Sequence, residues 1–413
     1  MVSLVGTWMQ RVAQDWLVLE LTDGNPIALG VAAALQFGPV LLLSLWAGVL
    51  ADRLDKRKLL IGAQIALGSL ALVLGILDVS GMVTLWQVYL LCFLLGCASA
   101  VETPVRQSFV IEMVGREQLS NAVALNATTF NTARIVGPAL AGIAIVLMGT
   151  GWLFIVNAVS FLASILALTR MDRAALQRSD RVPRRRGQLR EGLRYVRGRK
   201  DLMLVLALVF CVGTFGLNFY VTLAIAARNV FGRGADAYGL LSTLLAVGTL
   251  TGAVLAARRS GSGASPRMRL VVVAAMVFGL LEMVVGLMPT FLLFGLMLIP
   301  TGAAVLTFTT ASNSAVQLSV APTMRGRVMA LYMLLFVGGT PLGGPLIGWL
   351  AAEFGGRAPM IVGGGLSFLA AAVFGLAYAM AARRVRLAEA AADAEAEVEA
   401  QVPGSGSSPA GVG

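Results

Sequence analysis

The most informative feature of this chain is what it lacks. It contains no histidine, which excludes histidine as an acid, a base, a proton relay or a metal ligand. Only 13% of its residues are charged, against about a quarter in a typical soluble domain. Hydrophobic residues make up 58% of the 413 residues, too large a share for one globular core. Most of the chain is therefore predicted to face lipid or other membrane helices.

Cysteine is scarce as well. Cys92, Cys97 and Cys211 all lie in apolar runs, without the spacing of a disulfide framework or a zinc site. The chain has no G-x-x-x-x-G-K-[ST] phosphate-binding loop and no segment outside the apolar runs that could fold into an ATPase. The net charge of +11 comes without a basic stripe of interleaved aromatics outside the loops. We expect no metal, no cofactor and no nucleic-acid partner.

Long apolar runs organise the sequence. They cover residues 1–21, 27–51, 58–77, 82–102, 121–147, 151–169, 202–226, 237–257, 269–288, 290–317, 327–352 and 358–382. Most approach the roughly 20 residues that cross a bilayer as a helix. They are continuous rather than alternating, which favours helices over a barrel. The first run lacks the basic region and cleavage site of a signal peptide. The sequence predicts an all-α polytopic membrane protein with twelve transmembrane helices in two six-helix halves.

Basic residues are concentrated in alternate loops. Of the 32 Lys and Arg residues, 27 lie in segments 52–58, 103–120, 170–201, 258–269 and 318–327 and after residue 382. Basic loops mark the cytoplasmic side of a membrane protein. We therefore predict a multi-pass protein of the inner or plasma membrane with both termini in the cytoplasm. The opposite loops are too short for an external domain.

A weak internal repeat supports the division into halves. Three stretches recur about 206 residues later, namely Val5–Trp8 at Val212–Phe215, Gly48–Arg53 at Ala253–Arg258, and Ala124–Gly142 at Ala330–Gly348. We predict six-helix halves over 1–170 and 202–385, with a transport pathway at their interface. A basic cytoplasmic linker over 171–201 joins them and contains a short helix at Gln188–Val196. The acidic and then Pro/Gly/Ser-rich tail over 386–413 is predicted to be a disordered cytoplasmic tail that begins as a frayed helix.

Charged side chains within the spans are the first candidates for a site. Arg11 and Asp15 lie four residues apart, so one helical turn places them on the same face, where they can pair. Arg134 falls near the middle of the fifth span, where a charge normally faces a bundle interior or a water-filled cavity. We predict that these three residues face a central cavity and that Asp15 carries a proton. Asn131 shares the face of Arg134. A static ion pair is the structural alternative.

Further candidates lie elsewhere in the spans. Glu282 is the acid well inside a second-half span, and it could face the cavity, bind a cationic substrate or be solvated near the outer surface. Glycine permits close helix contact and proline permits a bend. Helices 5 and 11 are therefore predicted to move, through Gly137, Pro138, Gly142, Pro341, Gly343 and Pro345.

Several motifs resemble one known family. Gly48–Arg53 followed by Lys56–Lys58 resembles motif A of the major facilitator superfamily, and Gly137–Gly142 resembles the helix-5 antiporter motif of its exporters. Gly6–Val18, Pro104–Phe109 and Asn126–Pro138 are similar to the branch that contains the bacterial enterobactin exporter, the transmembrane secretion effector type. The resemblance covers residues 1–385. It implies the major facilitator fold and export of a siderophore, drug or secondary metabolite.

The resemblance also implies a gate built from Gly48, Asp52, Arg53 and Arg57. Asp52 lies near the cytoplasmic C-terminus of helix 2, where a carboxylate opposes the dipole of its own helix. The family pattern places its partner at the start of helix 11, near Arg325–Arg327. The hypothesis is a latch that closes the cytoplasmic side. The alternative is a loop charge that only sets topology.

Two departures from the family pattern limit what can be transferred. Cys92 stands where drug exporters often carry an arginine on helix 4, and Ala257 replaces the aspartate in the second copy of motif A. We predict a secondary active transporter that exports a small hydrophobic or amphipathic molecule by alternating access, coupled to protons, and that functions as a monomer. The alternatives are an importer of the same fold, a polytopic membrane enzyme and a transport-dead sensor. Absent histidines and short external loops argue against the enzyme.

Overall fold

The structure, a computed structural model, describes residues 1–114, 118–172, 188–259 and 268–401, and all regular structure in these ranges is helical. The first half contains α1 (Val2–Leu21), α2 (Pro26–Arg53), α3 (Lys56–Val79), α4 (Leu85–Val114) and α5 (Leu119–Arg170). The short helix α6 (Gln188–Arg197) follows. The second half contains α7 (Lys200–Phe215), α8 (Phe219–Ile225), a π-helical turn (Ala226–Val230), α9 (Ala235–Arg259), α10 (Met268–Leu287), α11 (Phe291–Ser319), α12 (Arg325–Phe354) and α13 (Ala358–Gln401).

Helix boundaries follow from local chemistry. The Asp55 side chain accepts a hydrogen bond from the Lys58 backbone N–H at 3.1 Å and so caps the start of α3. Helix α5 contains the predicted fifth and sixth spans and is broken between them at Gly149. The φ of Gly149 is +81°, a conformation that glycine adopts without steric cost. The start of α3 and the break within α5 therefore follow from a capping side chain and a glycine.

The polytopic all-α class is confirmed. Ten helical segments in the described ranges are long and apolar enough to cross a membrane. Helix α1, which contains the charged residues Arg11, Asp15 and Glu20, is not among these ten segments. Most of α5 is counted as a single segment from Ala124 to Arg170, although it contains two predicted spans. The count of twelve crossings stays a prediction.

Helices pack both within and between two sets, α1–α5 and α7–α13, which we call the first half and the second half. Within the first half, α1 packs against α5, α2 against α4, and α3 against α4 and α5. Within the second, α10 packs against α11 and α13, and α7 against α12 and α13. The two extensive contacts between the halves are α2 with α12 and α5 with α9. We call the end of the bundle with the starts of α1 and α12 the termini end, and the end with the starts of α2 and α9 the short-loop end.

Two features of the linker and tail bear on the predictions. Helix α6 agrees with the short helix predicted in the linker, and its Glu191 pairs with Arg327 of α12 at 2.7 Å. Helix α13 runs on to Gln401, so the tail predicted as a frayed helix followed by disorder from residue 386 is helical as far as 401. Its alanines and glutamates have high helix propensity, which explains the difference. Residues 402–413 lie outside the described ranges.

Candidate functional site

A hydrogen bond between the halves lies at Asp15. The Tyr238 hydroxyl donates to Oδ2 of Asp15 at 2.8 Å, joining α1 to α9. Asp15 is 7% exposed and Tyr238 is fully buried. The same hydroxyl lies 3.3 Å from the carbonyl oxygen of Tyr220 in α8. Because an ionised acceptor makes such a bond roughly twice as strong as a neutral one, the protonation state of Asp15 controls the strength of this connection.

Arg11 lies one turn from Asp15 and is surrounded by aromatic rings. Its guanidinium carbon lies 5.2 Å from the ring centroid of Trp8, 5.0 Å from that of Phe37 and 4.9 Å from that of Tyr220. Arg11 and Asp15 are both described, and no guanidinium nitrogen of Arg11 lies within 4 Å of a carboxylate oxygen of Asp15. The predicted ion pair therefore does not form. Cation–π contacts of about 0.5–2 kcal/mol each compensate the charge in part. The three rings come from α1, α2 and α8, so this cage also spans both halves.

Arg134 lies on the turn of α5 that packs beside α1. Phe130 contacts Trp8 edge to face at 5.6 Å between centroids, and a methyl group built on Gly137 would meet the Trp8 side chain and the Val5 carbonyl. Arg134 lies between these contacts and is half-buried. Within the described part of the chain its side chain makes no hydrogen bond or ion pair. Asn131, also half-buried, lies one turn away and makes a polar contact.

Small residues close the short-loop end between α2 and α12. A methyl group built on Gly30 would clash with the carbonyl oxygen of Gly344, and one built on Gly348 would lie 2.5 Å from the carbonyl oxygen of Pro26. The two backbones therefore touch directly. Such contact is the usual role of small residues between membrane helices, where lipid supplies no hydrophobic driving force.

Helices α5 and α9 touch at the short-loop end and separate towards the termini end. A methyl group on Gly142 would lie 3.0 Å from Cα of Asp236, and one on Gly239 would lie 2.5 Å from the carbonyl oxygen of Pro138. Towards the middle of the pair, the Thr243 hydroxyl lies 3.5 Å from the Ile135 carbonyl oxygen. Further along, exposed residues follow on both helices, namely Ala124 and Thr128 on α5 and Leu250 and Val254 on α9. The structure is closed at the short-loop end.

The motif predicted to form a gate is described only in part. The side chains of Gly48, Asp52 and Arg53 lie outside the described residues. Arg57 is buried and donates to the carbonyl oxygens of Leu168 and Thr169, both at 2.6 Å, and so caps the end of α5. A cation there is favoured by the helix dipole. At the predicted partner region, Arg327 pairs with Glu191.

The residues predicted to bend helices serve mainly as contact points. Pro341 and Pro345 lie inside α12, which corresponds to the predicted helix 11. This helix is continuous from Arg325 to Phe354. A methyl group on Gly343 would clash with the carbonyl oxygen of Thr214, so this glycine brings α7 against α12. Pro138 likewise lies inside the continuous first part of α5. Whether these helices move stays a prediction.

Glu282 is separate from the group around Asp15. It is 1% exposed and lies in α10, which packs against α11 and α13. A cavity of about 380 Å³ is also separate, between α10 and α13 at the termini end, and its polar lining is Arg269, Tyr378 and Arg383. The structure thus brings Arg11, Asp15 and the Arg134 turn together and leaves Glu282 elsewhere.

Sequence reasoning missed the aromatic members of the site. Tyr238 is the fourth residue of α9, a position where tyrosine usually belongs to an interfacial belt. Tyr220 and Phe37 are single aromatics in apolar runs and carry no positional signal. A usable signal was the polar face of α1, where Gln10 and Gln14 accompany Arg11 and Asp15. Gln14 donates to Gln36 of α2 at 3.1 Å, which ties that face to the next helix.

Comparisons with known proteins agree with this geometry. The family described as "Transmembrane secretion effector" matches residues 1–404. The "Staphyloferrin A transporter" of Staphylococcus aureus is 27% identical over 252 residues, which is 59% of this chain and 61% of that protein, so the match spans about three fifths of the relative's length. "Macrolide efflux protein A" of Streptococcus pyogenes is 24% identical over 344 residues, 80% of this chain and 82% of that protein.

Solved structures share the fold at low sequence identity. A bacterial homologue of the human lysosomal transporter Spinster, in an inward-facing and unoccupied conformation, superposes with a TM-score of 0.71 at 15% identity. The superposition covers 91% of this chain and 95% of that one. A likeness at this identity shows the arrangement of helices and leaves the substrate open.

Proposed function

Because this chain belongs to the transmembrane secretion effector family of the major facilitator superfamily, we propose that it is a proton-coupled exporter of small hydrophobic or amphipathic molecules. The names of its relatives, a siderophore transporter and a macrolide efflux protein, support this substrate class. The matching family and relatives are transporters, which sets aside the membrane-enzyme alternative. One observation carries the proposal beyond the family, namely the buried Asp15–Tyr238 bond between the halves. Beside it lie Arg11 and Arg134, neither of which forms an ion pair with any residue that the structure describes.

Alternating access is the proposed mechanism. The two halves would rock about a central site, opening first to one side of the membrane and then to the other. With both termini in the cytoplasm, closure at the short-loop end corresponds to an inward-facing carrier. The solved neighbour described as inward-facing is consistent with this assignment. The Gly30–Gly344 and Pro138–Gly239 contacts would have to separate in the outward-facing state.

Asp15 would couple protons to this motion by acting as a lock. As a carboxylate it accepts a charge-assisted bond from Tyr238 and holds the short-loop end closed. An empty, deprotonated carrier then stays inward-facing, which prevents futile cycling. Substrate or a proton at Asp15 weakens the bond and allows the halves to rearrange. If a proton and the substrate bind alternately at Asp15, each crosses the membrane only when the other has left. Their movements are then coupled in opposite directions, which is antiport.

The aromatic cage would provide the substrate contacts. Trp8, Phe37 and Tyr220 offer flat apolar surfaces, while Arg11 and Arg134 offer hydrogen-bond donors in a fork geometry. An amphipathic molecule could stack its apolar part on the rings and direct a polar group to either guanidinium. Siderophores, drugs and secondary metabolites combine these chemical features. A single chain contains the whole proposed pathway, which supports function as a monomer.

The lock is tested by Asp15→Asn. Asparagine keeps a side-chain oxygen that can accept a hydrogen bond from the Tyr238 hydroxyl, but its amide does not bind or release a proton. In an efflux-deficient host, the variant should insert normally and lose at least about tenfold in gradient-driven export of a probe panel that includes a macrolide. Facilitated exchange without a proton gradient should remain.

Asp23→Asn is the matched control, because Asp23 is an exposed acid in the loop after α1. It should retain full coupled export. Undiminished pH-driven export by Asp15→Asn would contradict the assignment. Uptake rather than export of the probes by the wild-type chain would favour the importer.

A further inference from the structure

A second buried acid lies inside the second half, away from the site around Asp15. Glu282 of α10 is 1% exposed, and its Oε2 atom makes no hydrogen bond. An ionised carboxylate in such a position is strongly disfavoured unless a positive partner or donors compensate it. Neither is present among the described residues around it. Something positive must therefore accompany this group.

A break in the helix α7–α8 segment lies beside this acid. Helix α7 ends at Phe215 and α8 begins at Phe219. Along the described chain, no backbone N–H donates to the Phe215 carbonyl oxygen, because the bond that a continuous helix would make is absent across the break. The C-terminal end of a helix also carries negative partial charge. The break therefore presents a free carbonyl and a negative dipole end.

A third oxygen without a partner comes from α13. Ser367 is fully buried, and its Oγ makes no hydrogen bond. A methyl group built on Gly216, the residue after Phe215, would lie 2.9 Å from this oxygen. Ser367 thus borders the same helix break.

Gly363 shows that these oxygens converge. It lies one turn before Ser367 on the same face of α13. A methyl group built on Gly363 would clash with the Phe215 carbonyl oxygen and would lie 3.9 Å from Oε1 of Glu282. The carboxyl group and the free carbonyl therefore both lie beside Gly363 of α13, and the serine hydroxyl lies beside Gly216, the residue that follows this carbonyl.

This group of oxygen atoms contains more hydrogen-bond acceptors than donors. A carboxylate and a carbonyl can only accept hydrogen bonds, and a single hydroxyl cannot satisfy both. Oxygen atoms of an unwound helix end and a carboxylate are the ligands that membrane transporters use for Na⁺ and H⁺. We propose that Glu282, Ser367 and the Phe215 carbonyl form a buried site for a small monovalent cation, either a proton or Na⁺.

The surrounding charges leave the cation as the compensating group. Ionisable residues on the packed helices are Cys211 and Tyr220 on the α7–α8 segment, with Lys200, Asp201, Arg269, Tyr378 and Arg383 at the termini end. Helix α11 has no acidic or basic residue. Arg357, near the short-loop end, donates to the carbonyl oxygens of Gly286 and Met288. None of these forms an ion pair with Glu282.

The site is independent of the export proposal. It lies within one half, so it would bind its cation whether or not Asp15 couples transport. Occupancy would stabilise the α7–α8 break against α10 and α13. The expected consequence is a cation-dependent stability of the second half.

The test measures thermal unfolding of the purified full-length protein at constant ionic strength, with Na⁺, K⁺ or choline as the cation and with pH varied in choline. For a Na⁺ site, Na⁺ should raise the wild-type Tm by about 2–4 °C over choline and K⁺ should not. For a proton site, Na⁺ should have no specific effect and the Tm should instead depend on pH. The Na⁺ response should disappear in Glu282→Gln, and the pH response should lose the part that Glu282 contributes.

Two further variants keep the test decisive. Glu353→Gln changes an exposed acid at the end of α12 and should keep the wild-type response. Ser367→Ala keeps the carboxyl group and should weaken cation affinity by about tenfold, which provides a readout if Glu282→Gln does not fold. Wild-type Na⁺ and pH responses in Glu282→Gln, or unchanged affinity in Ser367→Ala, would overturn the proposal.

Discussion

At the scale of single residues, two charged side chains of α1, those of Arg11 and Asp15, interact with aromatic residues rather than with each other. Asp15 is paired with a tyrosine hydroxyl rather than with the arginine one turn away, and Arg11 is held by aromatic rings. A charge in the membrane interior costs about 2.5–3.5 kcal/mol on insertion scales. Arrangements that only partly compensate such a charge are favoured when the group has to change partners. This property suits a proton carrier and a substrate contact.

Tyr238→Phe isolates the hydrogen bond from the titration of Asp15. Loss of a bond to a charged group costs about 1.5–3 kcal/mol, which corresponds to a shift of about tenfold or more between closed and open short-loop ends. Spin labels at Ser80→Cys and Thr290→Cys, in exposed loops of the two halves, should report a longer distance population. An unaltered distance distribution would show that the hydroxyl does not hold this end closed.

A matched change removes a hydroxyl elsewhere. Tyr378 lies on α13 beside the cavity at the termini end. Tyr378→Phe should leave the distances between the two labels as in the wild type. A similar shift in both variants would indicate a general loss of stability.

At the scale of elements, glycine decides which helices touch. α2 and α12 approach at Gly30 and Gly344, and α5 and α9 approach at Gly142 and Gly239. These contacts lie at one end of each pair. These backbone contacts would have to break for the short-loop end to open. The small residues therefore set the conformation as well as the packing.

Gly30→Ala should loosen the short-loop end. The added methyl group would meet the backbone of Gly344, which cannot rotate away as a side chain could. We expect a destabilisation of about 1–3 kcal/mol, typical of overpacking, and a longer distance between the two labels. Both effects can be read from thermal unfolding and spin-label distances.

Gly62→Ala provides the control within the same fold. A methyl group on Gly62 of α3 would meet nothing within 4 Å. The substitution should be neutral or stabilising by about 0.5–1 kcal/mol, because alanine is the better helix former. Equal effects of the two substitutions would refute a special role for the α2–α12 contact.

At the scale of the whole molecule, the halves share a packing pattern but differ in chemistry. The Asp15–Tyr238 hydrogen bond joins the halves, whereas Glu282 lies in the interior of the second half. Motif A follows the same asymmetry, since Asp52 has Ala257 as its counterpart. The orientation of the whole bundle in the membrane decides which side each of these features serves.

Orientation can be measured by cysteine labelling. In a background with Cys92, Cys97 and Cys211 replaced by alanine, Ser80→Cys should react with an impermeant maleimide added to intact cells. Gln118→Cys, exposed near a basic loop, should react after the cells are opened. This outcome is expected because basic loops remain cytoplasmic. The reverse labelling pattern would invert the proposed direction of transport.

The spans and loops of this protein could be predicted from its sequence because the bilayer fixes the length and polarity of each segment that crosses it. The length of an apolar run sets a span, and the placement of Lys and Arg sets the loops. Helix α6 and the caps of α3 and α11 follow from equally local patterns. The tail was predicted as a frayed helix followed by disorder, and the helix propensity of its Ala and Glu residues accounts for a helix that reaches Gln401.

Sequence by itself determined the all-α membrane class, the family and the candidate charges in α1 and α5. Only the tertiary structure decided their partners. Asp15 and Tyr238 lie 223 residues apart, and Glu282, Ser367 and Phe215 come from three different helices. Such contacts depend on how helix faces pack, which hydropathy does not encode. The physical reason is that the membrane fixes where helices cross, whereas close packing fixes which side chains meet.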